Sequence, residues 1–252
     1  MNIGKEAFIS LLHGFGPGVA DLRLDARDMS LIGTVALRTH MLHTRVSADV
    51  EAPGPIIISD LGKLLTFVKA LPKESMVAIR ALEGTPLRVL SGNVDLTLPL
   101  SDYVHSAANV RVSKAMALKE DSERDNWKHW AGTPLPCVGR LHTSDLMQVQ
   151  TLEKIVGKNH SITTHFSAED KTWNISAGEK GGANMTVSVG MEDCSNDDGN
   201  DIARSSFGGW FPSVINCLPP GVVELYTAHK FVLILRHTEK EHLLVILDQR
   251  SD

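Results

Sequence analysis

A chain of 252 residues, 42% hydrophobic and 22% charged, has the make-up of a folded protein with one large or two ordinary domains, which excludes disorder, collagen and coiled coil. Its formal charge of -5 makes it acidic overall, so any cationic surface has to be local. No apolar run reaches the roughly 18 residues that span a bilayer. Lys5 and Glu6 stand where a secretory signal needs an apolar segment, so no membrane and a cytoplasmic location are expected. Cys137, Cys194 and Cys217 are odd in number and far apart, which fits reduced thiols and neither a disulfide framework nor a zinc site. No metal and no cofactor is expected, and the Asn-x-Ser/Thr triplets at Asn159, Asn174 and Asn184 are chance without a secretory route.

Phe8, Leu11, Leu12 and Phe15 recur at helical spacing and predict an amphipathic helix from about Lys5 to Phe15, stopped by GFGPG. ADLRLDA, SLIGTVALRT and HTRVSADV follow as strands. Asp60 is a good N-cap for a second helix that buries Leu61, Leu64, Leu65 and Val68 and ends at Leu71-Pro72. MVAIRAL, LRVLSG and VDLTLPL are the next strands. A polar connector follows, with KEDSERDNWKHWAG and the prolines Pro134 and Pro136.

Ser144 is expected to cap a third helix with the stripe Leu146, Val149, Leu152 and Val156, ahead of strands in SITTHFSA, TWNISAG and NMTVSVGM. Phe207, Phe211, Val214, Ile215 and Leu218 predict a fourth helix, ending in Leu218-Pro219. VVELYTA, KFVLILRH and HLLVILD close the chain as strands. FVKALPKESMVAIRALEGTPLRVL with VDLTLPL, and SVINCLPPGVVELYTAHKFVLIL with HLLVIL, share helix, Leu-Pro stop and strands in one order. The chain therefore reads as an internal duplication, four helix-plus-strands units in an α+β fold, with domains at 1–102 and 140–252 and a connector at 103–139.

The second helix carries the positive charge. Residues 60–73 set Asp60 against Lys63, Lys69 and Lys73, a net of +2. At about 100° per residue Lys69 and Lys73 point away from the buried stripe, with Thr66 beside them and Lys63 flanking. Thr151, Lys154 and Lys158 repeat the theme on the third helix, and Lys5 adds one charge on the first. The acids collect elsewhere, in MEDCSNDDGND and the connector. Lysines on an exposed helix face are by themselves ordinary solvated charge. Their recurrence in a duplicated unit that carries no base-reading motif points to backbone contact blind to sequence.

Together KEAFISLLHGF, ISDLGKLLTFVKAL, HTSDLMQVQTLEKIVG and VINCLPPGVVELYTAHKFVLIL resemble the ring-shaped DNA sliding clamps, above all the processivity factors of T-even-like phages. The resemblance covers nearly the whole chain and rests on order, length and duplication. It implies the DNA-clamp fold and a two-domain protomer that closes head to tail into a homotrimer around double-stranded DNA, tethering a DNA polymerase. An ATP-dependent clamp loader is the implied second partner, and the location is the host cytoplasm if the chain is phage-encoded. The implied DNA contacts are Lys5, Lys63, Lys69, Lys73, Lys154 and Lys158. Edge strands near Val94 to Leu100 and Asn184 to Gly190 would close the ring. Leu31, Ile32, Ile246 and Leu247, with Asp248, would line an outer partner pocket.

Two departures stand against the family pattern. The fourth helix has no lysine, only Arg204 near its expected start, and the connector is long and charged, with Trp127 and Trp130 that either pin it to the domain wall or join a partner site. An enzyme is the first rival, but His40 and His43 fall on opposite faces of a strand with no carboxylate at ligand spacing, and GFGPG follows a helix where a phosphate loop follows a strand. The second rival is a β-rich structural or interaction module without nucleic acid, opposed by the recurring basic helices.

Overall fold

The computed structural model describes residues 1–13, 15, 21–48, 50, 55–81, 85–99, 107–156, 160–178, 184–197 and 202–247. The chain divides into two units, Met1–Leu37 with Leu42–Ala115 and Arg38–Met41 with Met116–Asp252.

The first unit begins with β1 (Asn2–Gly4), α1 (Lys5–His13), β2 (Asp21–Arg27), β3 (Ser30–Ala36) and β4 (His40–Ser47), of which His40 and Met41 group with the second unit. It repeats that order with β5 (Ile56–Ser59), α2 (Leu61–Ala70), β6 (Met76–Arg80), β7 (Leu87–Ser91) and β8 (Val94–Leu98). Each copy lends its first strand to the other. β1 pairs antiparallel with β6, Ile3 opposite Val77, and β5 pairs with β2, Ile58 opposite Leu22. Two sheets result, in the orders β1-β6-β7-β8 and β4-β3-β2-β5. β1 and β5 were not predicted, because three or four residues are too few to display a period.

Burial follows the predicted periods except at Leu65 of α2, which is half-buried. Phe8, Leu11 and Leu12 of α1 and Leu61, Leu64 and Val68 of α2 are buried with Leu22, Leu24, Leu31, Val77, Ile79 and Val89 from the strands. Gly33 of β3 is required by this packing: a Cβ there would meet the Phe15 ring at 2.5 Å.

The stretch read as connector holds α3 (Ala107–Arg124), β9 (His129–Trp130) and β10 (Thr133–Pro134), and the division between units falls within α3. α3 is built of Ala, Met, Leu, Lys and Glu, good helix formers, but without a clean apolar stripe. Its first half is held to the first unit by polar contacts. Arg23 donates to Asn109 Oδ1 at 3.0 Å and Ser113 Oγ at 3.2 Å, and Arg111 Nε donates to the Ala36 carbonyl at 3.1 Å. Ala131 and Gly132, both at positive φ, make the two-residue turn of the β9–β10 hairpin.

The second unit runs β11 (Cys137–His142), a 3-10 turn (Thr143–Gln148), α4 (Val149–Val156), β12 (Ile162–Ser167), β13 (Thr172–Gly178) and β14 (Asn184–Gly190). β15 (Glu192–Asn196), β16 (Ile202–Phe207), α5 (Phe211–Ile215), β17 (Val222–Thr227), β18 (Val232–His237) and β19 (His242–Leu247) follow. The strand exchange recurs: β11 pairs with β17 and β16 with β12, giving sheets β15-β11-β17-β18-β19 and β14-β13-β12-β16.

Two expectations change here. Phe207 lies in β16, and the fourth helix is the five residues of α5, started by Pro212 and packed through Phe211 on Phe207 (4.9 Å, stacked) and on Trp173 (6.2 Å, edge-on). Ser144 is not the cap of the third helix. That segment opens as a 3-10 turn whose preceding residue, His142, accepts the Ser144 N–H through Nδ1 at 3.2 Å.

Trp127 and Trp130 are both buried. The Arg236 guanidinium lies 6.0 Å from the centre of the Trp127 ring and donates through Nε to Glu224 Oε2 at 3.0 Å, which also accepts from Tyr226 at 2.8 Å. Burial pushes the Glu224 carboxyl up, but the hydrogen bonds from Arg236 and Tyr226 outweigh it and hold it below the usual carboxylate range. Cys137, Cys194 and Cys217 form no disulfide, and burial pushes the Cys217 thiol up to about 11.

Candidate nucleic-acid interface

Asp60 sits before α2 at φ 67 and accepts the Lys63 N–H at 3.2 Å, while the Lys63 ammonium lies 2.7 Å from its other oxygen. This double contact holds the Asp60 carboxyl below its ordinary value. Lys63 is exposed, but its charge is largely matched by Asp60. One turn on, Thr66 Oγ1 donates back to the Gly62 carbonyl at 2.9 Å.

Lys69, in the last turn of α2, and Lys73, in the turn after it, are exposed, and among the described residues neither meets a carboxylate. The helix ends at Leu71, in extended conformation, whose N–H reaches the Val68 carbonyl at 3.3 Å.

Lys5 has a different place from the one expected for a DNA contact. It is 9% exposed, and its ammonium donates to the carbonyls of Lys69 (3.1 Å) and Leu71. Its own N–H donates to the Ser75 carbonyl at 2.9 Å. The reason was present in the sequence: Lys5 precedes Phe8 by three residues and Leu12 by seven, which places it on the buried stripe of α1. The exposed side of α1 carries Glu6, Ser10 and His13, so it adds no lysine to the surface.

In the second unit Lys154 is exposed on α4, and Lys158 lies outside the described residues. The neighbours of Lys154 differ from those of Lys69. Met147 is 64% and Ile155 59% exposed, and Gln150 Nε2 is hydrogen-bonded to Asn216 Oδ1, joining α4 to the residue after α5. A cleft of about 210 Å³ opens beside this bond, lined by His142, Ser144, Met147, Gln150, Asn216 and Leu218, with no charged group among them. Arg204, expected at the start of the fourth helix, is in β16, opposite His165 of β12.

The two expected ring-closing segments are terminal strands. Among the described residues β8 ends the order β1-β6-β7-β8 and β14 ends β14-β13-β12-β16; Leu100 lies outside the description. Asp95 of β8 is ion-paired with Arg88 across the ladder, and β14 carries no charged residue. Of the expected pocket residues, Leu31 is buried and Ile32 half-buried in the first unit. Ile246 is buried and Leu247 exposed in the second, and Asp248 is outside the described residues.

Among the described residues His40 and His43 make packing and hydrogen-bond contacts. His43 Nδ1 is hydrogen-bonded to Thr34 Oγ1 at 2.9 Å, and His40 stacks on Trp210 at 5.1 Å, its pKa lowered to about 4 by burial. Among the described residues no group of three or more His, Cys, Asp or Glu is placed to hold a metal ion, and no helix is long and apolar enough to cross a membrane.

No protein family matches the chain, and no curated protein does. Solved structures do. The DNA polymerase sliding clamp of Bacillus subtilis superposes with a TM-score of 0.72 at 12% identity over 100% of this chain and 64% of its own. PCNA of A. fulgidus, solved with the C-terminal region of FEN-1, gives 0.65 at 12% identity over 100% and 98%. The PCNA2-PCNA3 complex of Sulfolobus tokodaii gives 0.66 at 14% over 100% of both chains. The chain thus spans about two thirds of the length of the bacterial clamps it matches and nearly all of these archaeal ones. Its fold is the DNA sliding-clamp fold, an α+β arrangement in which a doubled β-α-β-β-β unit is itself doubled.

Proposed function

We propose that this protein is a sliding clamp of the T-even-like phage type, a homotrimeric ring that encircles double-stranded DNA and tethers a replicative DNA polymerase. The observation that carries the reading is the exposed, unmatched pair Lys69 and Lys73 on a helix of a clamp-fold unit in a chain of net charge -5. Positive charge concentrated there draws a phosphate backbone without fixing register, so the protein holds DNA and still slides. Lys63 and Lys154 add weaker attraction, Lys63 because Asp60 matches it and Lys154 because it is a single exposed lysine on α4. Lys158 completes the set. No catalytic step is part of this function, because retention comes from topology.

If six similar domains close a ring, two units per chain call for three copies, which fits full coverage of the archaeal clamp chains and two-thirds coverage of the bacterial ones. Closure runs head to tail, β8 of one protomer against β14 of the next, each a terminal strand with open backbone donors and acceptors. An ATP-dependent loader opens the ring in the host cytoplasm. Polymerase and loader tails bind apolar surface, for which Leu247, 40% exposed, is the candidate among the expected residues.

Retention on circular DNA tests the proposal. Loaded on a closed circle, the protein stays through gel filtration at a salt concentration that strips simple binders, and it is lost when the circle is cut. Equal retention on circle and linear duplex favours a simple binder, and no binding to either favours the β-rich interaction module.

A further inference from the structure

The end of an α-helix is a poor place to meet a phosphate. The last carbonyls point outward unpaired and carry about half a negative charge between them. Yet Lys69 and Lys73, two exposed lysines of the first unit that meet no carboxylate among the described residues, stand at that end of α2. The carbonyls of Lys69 and Leu71, part of that negative end, accept hydrogen bonds from Lys5. An ammonium as buried as this is retained only when its protons are bonded. The backbone adds to the same junction, through Lys5 N–H to the Ser75 carbonyl and Ser75 N–H to the Pro72 carbonyl at 3.1 Å.

From this junction we infer that the last turn of α2 is the phosphate-contacting station of the first unit and that Lys5 is its positioning residue. Lys5 cancels the negative helix end from beneath and fixes the turn that presents Lys73. The inference rests on the DNA-binding reading above and names the chemistry within it. The ligand is a phosphodiester backbone, the contacts are Lys69 and Lys73, and Lys5 acts through them without touching phosphate.

The test is binding of the full-length protein to a linear duplex, titrated over a range of sodium chloride, with unfolding midpoints measured alongside. Replacing Lys69 and Lys73 together by alanine lowers the slope of log affinity against log salt by about two for each protomer engaged, because each lost phosphate contact removes about one released counterion. Lys5→Gln keeps a hydrogen-bond donor but removes the charge. It weakens binding roughly three- to tenfold, the scale of a charge at a helix end, and leaves the slope unchanged. Lys5→Arg restores the affinity.

Parent-like affinity in Lys5→Gln overturns the positioning role. A slope reduced by about one overturns it too, because Lys5 would then be a direct contact. Should Lys5→Gln lose its fold, lysine side-chain NMR of the unmutated protein decides: the Lys5 ammonium stays protected and unshifted when DNA is added while those of Lys69 and Lys73 move, and a Lys5 that shifts with them defeats the inference. Unchanged affinity in the double alanine variant is a separate outcome that removes the DNA reading of the site.

Discussion

The helices of the two units occupy equivalent places in the repeated fold and have different surfaces. α2 ends in a cationic turn, with Lys5 of α1 buried beneath it and Lys69 and Lys73 exposed. α4 and α5 meet through the Gln150–Asn216 bond and expose Met147 and Ile155 around one described lysine, Lys154. α2 makes ten residues of helix and satisfies its own start with Asp60, whereas α5 makes five and has no side-chain cap. Duplication has kept the apolar positions, since both units need a core, and has let the exposed positions diverge. Among the described residues, α2 and the turn after it therefore carry more exposed lysines than α4.

The largest effect expected from this contrast is on stability. α5 is too short to hold itself, so Phe211, fully buried against Phe207 and Trp173, holds it. Phe211→Ala should cost about 3–5 kcal/mol in denaturant unfolding, most of it a cavity in the second unit. A cost near 1 kcal/mol would mean that α5 has other support.

Charge reversal breaks the comparison on the binding side. Replacing Lys69 and Lys73 by glutamate should lower duplex affinity on the order of a hundredfold at moderate salt, because attraction becomes repulsion at two places. Lys154→Glu should cost less than about tenfold. Equal losses would show that both units hold the backbone alike.

Acid sharpens the contrast. His40, which belongs with the second unit, has its pKa lowered by burial from 6.5 to about 4, and burial, with His237 and Lys240 nearby, lowers that of His242 to about 3. The unfolded chain binds these protons first, so the stability they confer is complete above about pH 6.5 and declines as the pH falls through 4 toward 3. Unfolding midpoints across that range should fall for the parent and fall less for His40→Phe, which keeps a ring on Trp210.

The smallest expected change is at the start of α2. Asp60→Ala should lower the unfolding midpoint slightly through the lost cap. It should also raise DNA affinity slightly by freeing Lys63 from its partner.

Much of this architecture could be read from the residues. The stripe of Leu61, Leu64 and Val68, the alternation in the longer strands and the Leu-Pro stops yield the doubled repeat. What escaped reading has physical causes. β1 and β5 are specified by strands far along the chain, Val77 and Leu22 among their partners, and local pattern carries no such information. α3 carries no apolar stripe because polar partners such as Arg23 hold its first half. Phe207 fits a helical spacing with Phe211, but its neighbours are bound in the β12 ladder. The exposure of Lys69 was legible because it follows from helix geometry, whereas Lys73 is exposed in the turn past the helix end. Lys5 was misassigned because a charged residue on an apolar stripe was given the surface role usual for lysine, when two carbonyls awaited it inside.

The account stands on which side of the first unit meets DNA, and photo-crosslinking reads that directly. A cross-linker placed singly at position 69, 73 or 80 of the full-length protein is irradiated with duplex DNA. Arg80 is exposed on the face of its sheet opposite buried Val77 and Ile79. The account predicts cross-links from 69 and 73 and none above background from 80; cross-links chiefly from 80, or from none of the three while DNA remains bound, would contradict it.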